Sequence, residues 1–412
     1  MPIAIAMAVV GFLGVWYVEG FGSSLTVLRT VPWTGVRNYL LSCVPFFIIM
    51  GHAFAVSGVI ADLFDTINKW VRQLPGGLAI STVIATAGFG AVCGHPMATA
   101  ATIGALAYPE MRRHNYSKRL ATGCIAAGGS IASLIPPSIP MVIIGLLTEL
   151  SIGKLLLAGL LPGLMEAASY ALMAYLLAKF RPGIAPHAEG FPWRERLVSL
   201  KNIWAPLTIF LIVVGGIYLG IFSPTEAAAI GAFAAILLLI PKGKFNSRNL
   251  FKLLKEASLI VCSLLPILVG VFILNELFVI TRLPMLFSEA IVAMNLSKHM
   301  LLVTVVILYL ILGCFLEPIA TWLLTIPVLY PVLSSAGIDG IWFAVVAVKA
   351  AEMGLITPPV GMNVFVLKGV VKEVPMTEIF MGIVPFLFMD FITVTLLIMI
   401  PEISLFLPNL AK

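Results

Sequence analysis

Apolar runs near 20 residues, separated by short polar or basic stretches, recur along the chain and show no alternation of period two. Runs of that length predict helices that cross a bilayer, not strands. The pattern also repeats at a fixed interval of 222 residues. His95-Pro96-Met97-Ala98-Thr99 returns as Glu317-Pro318-Ile319-Ala320-Thr321, Tyr108-Pro109 as Tyr330-Pro331, and Pro136-Pro137 as Pro358-Pro359. Pro2 matches Pro224, and Leu74 matches Leu296. So strict a spacing implies two copies of one structural unit. Paired copies with interrupted hydrophobic segments point to a substrate site where they meet.

Composition sharpens this reading. Of 412 residues, 60% are hydrophobic and 11% charged, against about 25% charged in a soluble protein. The chain is therefore read as an all-α polytopic membrane protein embedded in a lipid bilayer. The net charge of +6 sits in short loops between apolar runs, which marks topology and not a nucleic-acid partner. Glu110–Arg119 holds Arg112, Arg113, Lys118 and Arg119, whereas its counterpart Val332–Ile341 holds only Asp339. The positive-inside rule puts the first loop in the cytoplasm and the second outside, so the copies are inverted. Two further basic stretches, Lys179–Lys201 and Pro241–Lys255, belong on the cytoplasmic side.

This frame predicts two re-entrant hairpins, residues 77–109 and 299–331. Gly77–Pro109 starts after Lys69 and Arg72 and ends before a basic loop, and it is shorter than the roughly 40 residues that two crossings need. Its tip is at His95-Pro96, and the partner tip is at Glu317-Pro318. The next segments, Leu120–Thr148 and Ile341–Gly369, are interrupted by Pro136-Pro137-Ser138 and by Thr357-Pro358-Pro359-Val360-Gly361. Consecutive prolines open a helix, and the freed carbonyls must face protein, water or ions. Two tips and two breaks are expected to meet near the midplane. The division is residues 1–180 for the first inverted repeat, 181–202 for a cytoplasmic linker and 203–412 for the second repeat. An apolar helix over Ile203–Phe222 precedes Pro224 and has no counterpart before Pro2. Parity therefore predicts about 20 further apolar residues upstream in a natural precursor.

Candidate chemistry concentrates at these irregular points. Thr99 and Thr321 can ligate a hard cation or cap a helix, Ser138 and Asn363 sit just past the breaks, and all four are read as substrate contacts. His95 is read as a proton carrier, a substrate ligand or a packing residue. His52, His114, His187 and His299 lack metal spacing and are read as structural. Lys349 and Glu352, spaced i, i+3, are read as a helix-surface ion pair, with gating or anion contact as the alternative. Glu166, Glu226, Glu276 and Asp390 are assigned to interfaces or partner contacts. The five cysteines fall in apolar segments without a CxxC pair and are read as packing residues. No HExxH, GxSxG or P-loop occurs, so the chain is read as no enzyme, driven by an ion gradient and not by ATP.

Several stretches resemble the large membrane subunit of the TRAP (tripartite ATP-independent periplasmic) transporters, the DctM-like permeases. They are Leu74–Ala79 (LPGGLA), Ala98–Gly104 (ATAATIG), Leu134–Pro140 (LIPPSIP), Leu160–Gly163 (LLPG), Ser223–Ala229 (SPTEAAA) and Gly354–Gly361 (GLITPPVG). They span nearly the whole chain. The resemblance implies an elevator-type fold of the ion-transporter superfamily in a bacterial or archaeal inner membrane. It implies Na+-coupled import of an organic anion, such as a dicarboxylate or a sialic acid, delivered by a periplasmic substrate-binding protein. A small four-helix membrane subunit would complete the scaffold. One Na+ site maps by resemblance onto Cys93, His95, Ala132, Ile135 and Pro137, and the mirrored one onto Gly313, Gly354, Thr357 and Val360. Ala132, Ile135 and most of the second set would act through backbone carbonyls. The chain departs from the family at tip one, where Ser-Gly-Ser-Ser is replaced by Cys93-Gly94-His95-Pro96. A thiol and an imidazole are poor Na+ ligands. Glu317 replaces the family's usual Asp. Two competing readings are a stand-alone ion-coupled exchanger and a non-transporting membrane scaffold that has lost its ion site.

Overall fold

The computed structural model describes residues 3–186, 189–293 and 296–410, all helical or irregular. Pro2 and His187 lie outside the described residues. The first half of the chain forms α1 (Ile3–Glu19), α2 (Phe21–Val36), α3 (Cys43–Ser57), α4 (Val59–Val71), α5 (Gly77–Cys93), α6 (Pro96–Arg113), α7 (Lys118–Ser130), α8 (Ile139–Thr148) and α9 (Ile152–Phe180). A short α10 (Trp193–Ser199) lies in the connecting stretch. Then follow α11 (Trp204–Tyr218), α12 (Pro224–Leu237), α13 (Ser247–Ile280), α14 (Leu283–Ala293), α15 (Lys298–Phe315), α16 (Pro318–Ser335), α17 (Gly340–Ile356), α18 (Met362–Val370), α19 (Met376–Met399) and α20 (Glu402–Leu410). Among the described residues, six helical stretches are long and apolar enough to cross a bilayer, one of them α3 together with the 3-10 turn before it (Tyr39–Ser57).

The 222-residue spacing is visible in the elements. Helices α5 to α9 correspond to α15 to α19, each within a few residues. The halves interlock, because α8 packs on α16 and α18 packs on α6, while α7 packs on α19 and α17 on α9. They also run in opposite directions along α19. The Arg119 carbonyl at the start of α7 lies where a Cβ on Gly382 would stand, 2.1 Å away. Trp342 at the start of α17 donates its indole N–H to the Leu397 carbonyl at 2.8 Å. Gly382 and Leu397 are about 22 Å apart at 1.5 Å per residue.

Helices α7 and α17 form the core. Every residue of Leu120–Ser130 and of Trp342–Ile356 is buried. A helix that is apolar all round needs a shell of other helices. Large apolar side chains such as Tyr17, Trp33, Leu211 and Leu259 remain exposed on α1, α2, α11 and α13, the surface a bilayer would cover.

The basic stretches gather at one end. Arg72 lies 3.2 Å from the His114 imidazole, and Arg196 donates to Gln73 at 2.8 Å. Ser117 N–H bonds the Ile184 carbonyl at 2.8 Å, and Lys242 pairs with Asp62 at 2.5 Å. By the positive-inside rule this end faces the cytoplasm.

Candidate functional site

At the first tip, α5 ends on Gly94 with φ +61. A Cβ there would lie 2.6 Å from the Pro137 carbonyl oxygen. Both the left-handed backbone and the close approach require glycine. His95 is then extended, and Pro96 opens α6, where a missing N–H costs nothing. At the second tip, Pro318 opens α16 and the Glu317 carboxylate caps it, accepting from Ala320 N–H at 3.3 Å. His95 makes no such cap. Its Nδ1 is buried without a hydrogen-bond partner.

The breaks follow from the prolines. Helix α7 tightens into a 3-10 turn at Ile131–Ser133, and the N–H groups of Leu134 and Ile135 both return to the Ile131 carbonyl, at 3.1 and 3.3 Å. In a continuous helix the carbonyl of Ala132 would accept from residue 136 and that of Gly354 from residue 358. Both donors are missing, since both residues are proline. The Gly354 carbonyl takes Thr357 N–H at 3.2 Å instead.

Each tip meets its own break, backbone to backbone. A Cβ on Gly90 would stand 2.6 Å from Ala132 Cα, and one on Gly354 would stand 2.6 Å from Gly313 Cα. The Cys314 thiol points at the Pro358 carbonyl, 3.5 Å away. The structure thus brings the tip that carries Cys93 and His95 against the segment that carries Ala132 and Pro137. Ile135 is buried in that segment beside Gly163 of α9. The Cys93 thiol lies 4.0 Å from the His95 carbonyl. Gly313 and Gly354 touch, while Thr357 and Val360 are half-buried in the second break. The Thr357 hydroxyl bonds the Met353 carbonyl at 2.6 Å.

Thr99, Ser138, Thr321 and Asn363 are fully buried, and neighbouring backbone engages them. Thr99 donates to the His95 carbonyl at 2.9 Å and Thr321 to the Glu317 carbonyl at 3.2 Å, a matched pair. Ser138 caps α8 and bonds the Ser133 carbonyl. The Asn363 amide donates to the Ala126 carbonyl of α7 at 3.2 Å, leaving its Oδ1 unpartnered.

The tips face each other across a small cavity lined by His95, Pro140, Glu317, Trp322 and Glu352. Glu352 is fully buried, and both its oxygens lack a hydrogen-bond partner.

Residues 1–403 match the family described as tripartite ATP-independent periplasmic transporter, DctM component. The chain belongs to this family. It is 32% identical to the C4-dicarboxylate TRAP transporter large permease DctM of Pseudomonas aeruginosa, over 95% of this chain and 93% of that one. It is also 32% identical to the sialic acid TRAP transporter large permease SiaM of Vibrio cholerae, over 91% and 88%. Among solved structures, the YdaH transporter of Alcanivorax borkumensis shares the fold, with a TM-score of 0.71 at 16% identity over 95% of this chain and 90% of that one. The protein is thus a multi-pass inner-membrane permease subunit and not an enzyme.

Two assignments to charged residues of this permease need correction. Lys349 does not pair with Glu352. It bonds Glu166 of α9 at 2.9 Å and also pairs with Asp390 of α19. Two carboxylates from other helices outweigh one neighbour a turn away on its own helix. Glu166 and Asp390 are therefore buried ion partners and not interface residues. Glu226 forms a capping box with Ser223 at the start of α12. The sequence did carry a signal for both corrections. An ammonium deep in an apolar run needs partners, and Glu166 and Asp390 are among the few intramembrane acids.

Proposed function

We propose that this permease imports an organic anion by Na+ coupling, with one Na+ held at each contact between hairpin tip and helix break. The observation that carries this reading is the double close approach, Gly90 to Ala132 and Gly313 to Gly354. It delivers carbonyls that have lost their helical donors to proline. Such carbonyls suit a hard cation, and they need no acidic side chain. The first site would use carbonyls of the Ala132–Pro137 segment and of tip one, with Cys93 and His95 contributing little through their side chains. The second would use carbonyls of Gly313, Gly354, Thr357 and Val360.

The substrate is proposed to be a dicarboxylate, sialic acid or related carboxylate. Its carboxylate would be received at the N-termini of α6, α8, α16 and α18, where Thr99, Ser138, Thr321 and Asn363 lie. The proposed partners are a periplasmic binding protein that delivers the anion and a small membrane subunit that covers exposed apolar surface of the scaffold. The inverted halves would move the site by an elevator displacement. The test is uptake of candidate carboxylates into proteoliposomes that contain the permease, the small subunit and the binding protein. Uptake that rises with external Na+ supports the reading. Uptake unchanged when choline replaces Na+ refutes it.

A further inference from the structure

We infer that Glu166 and Lys349 are positioning residues that tie the two helix breaks together, so that the state of one break is felt at the other. The inference rests on the two-site sodium reading above. Ser130 is the last residue of α7, two positions before Ala132. Its hydroxyl lies 3.2 Å from Glu166 Oε1, and the same oxygen takes the Lys349 ammonium at 2.9 Å. Lys349 lies on α17, five positions before Gly354. Beyond it, Asp390 of α19 pairs with Lys349 and accepts the Tyr170 hydroxyl at 2.5 Å. Each of the five residues is at most 1% exposed. One polar path therefore links break one to break two through α9, bypassing both tips.

Stability alone does not account for this path, because packed apolar side chains usually serve a core as well as a buried ion cluster does. In a low-dielectric interior, however, hydrogen-bonded charges hold their partners stiffly. The link at Ser130 is also releasable. Its single proton has two acceptors, the Ala127 carbonyl at 2.6 Å and Glu166 at 3.2 Å. Movement at break one decides which is used, and Lys349 carries the change to α17.

Two variants test this on the full chain. In Glu166→Gln, hydrogen exchange in nanodiscs should rise at both residues 131–138 and 354–361, by about fivefold, the low end of site-to-site coupling. A rise confined to the 131–138 side would overturn the inference. In Ser130→Ala, a mild change, the Hill coefficient for sodium-driven uptake should fall from near 2 toward about 1, with maximal uptake per folded transporter within about twofold. A purely structural network would lower the melting temperature and leave the Hill coefficient of the folded protein unchanged, which would also overturn the inference. Should the unmutated protein show no sodium dependence, the sodium reading falls, and the exchange experiment still decides whether the breaks are coupled.

Discussion

Gly354→Ala is the sharpest perturbation of the proposed second sodium site. The added Cβ would stand 2.6 Å from Gly313 Cα and 2.7 Å from its carbonyl carbon. Both are backbone atoms, so no side chain can swing away. Carbon atoms normally rest about 3.5 to 4.0 Å apart, so tip and break must separate by roughly 1 Å. Overpacking of this kind costs about 1–3 kcal/mol. Borne at the ion site, that cost raises half-saturating sodium about 5- to 150-fold, at 1.4 kcal/mol per factor of ten. The assay is uptake into proteoliposomes across a sodium titration, paired with thermal unfolding of the same preparation. Gly270→Ala is the control. Its Cβ would meet the Ala4 carbonyl oxygen at 2.4 Å, a backbone clash between α1 and α13 and not between a tip and a break. It should lower the melting temperature and keep the unmutated sodium curve. Equal destabilisation by the two variants, with both sodium curves unchanged, would refute the assignment of the Gly313–Gly354 contact to ion binding.

Restoring hydroxyls at tip one, with Cys93→Ser and His95→Ser together, should lower half-saturating sodium in the same uptake assay. An unchanged curve would show that the first site works through carbonyls alone. Lys349→Met should destabilise the permease by about 3–5 kcal/mol, because Glu166 and Asp390 are left buried without their cation. Adding Glu166→Gln and Asp390→Asn should recover much of that loss in a thermal-unfolding series. In the loop between α18 and α19, Glu373 accepts the Tyr108 hydroxyl at 2.6 Å, which holds that carboxyl below its ordinary range. A lowered folded value means the contact stabilises the protein above the ordinary glutamate value and is lost as pH falls through the lowered one. Tyr108→Phe should reduce this acid-side dependence, leaving the part due to Lys118 and Arg112, as read by the melting temperature between about pH 3 and 6.

Much of the site's layout was legible because its determinants are local. Prolines at 136, 137, 358 and 359 remove backbone donors wherever the chain goes, so the breaks can be read from the residues alone. Gly94-His95-Pro96 and Glu317-Pro318 likewise mark chain reversals whose meaning does not depend on neighbours. The partners of Lys349 were not legible in this way. Glu352 lies three residues away on the same helix, and Glu166 and Asp390 are 183 and 41 residues away. Only the packing of α17 against α9 and α19 shows that the distant acids win. Asn363 reads as a residue just past a break, yet it donates to the Ala126 carbonyl of the other half. That contact exists only because the halves interlock.

The sequence by itself determined the class of protein, the doubling of the unit, the opposite orientation of its halves and the position of four helix interruptions. Each rests on a property carried by a short stretch, such as apolar length, loop charge or a missing N–H. The tertiary structure decided which interruptions touch, that Glu352 faces the cavity between the tips, and that one buried ammonium joins three helices. Those outcomes depend on distances between segments far apart in the chain. Packing sets such distances, because a buried charge takes the best partners that the assembled helices offer.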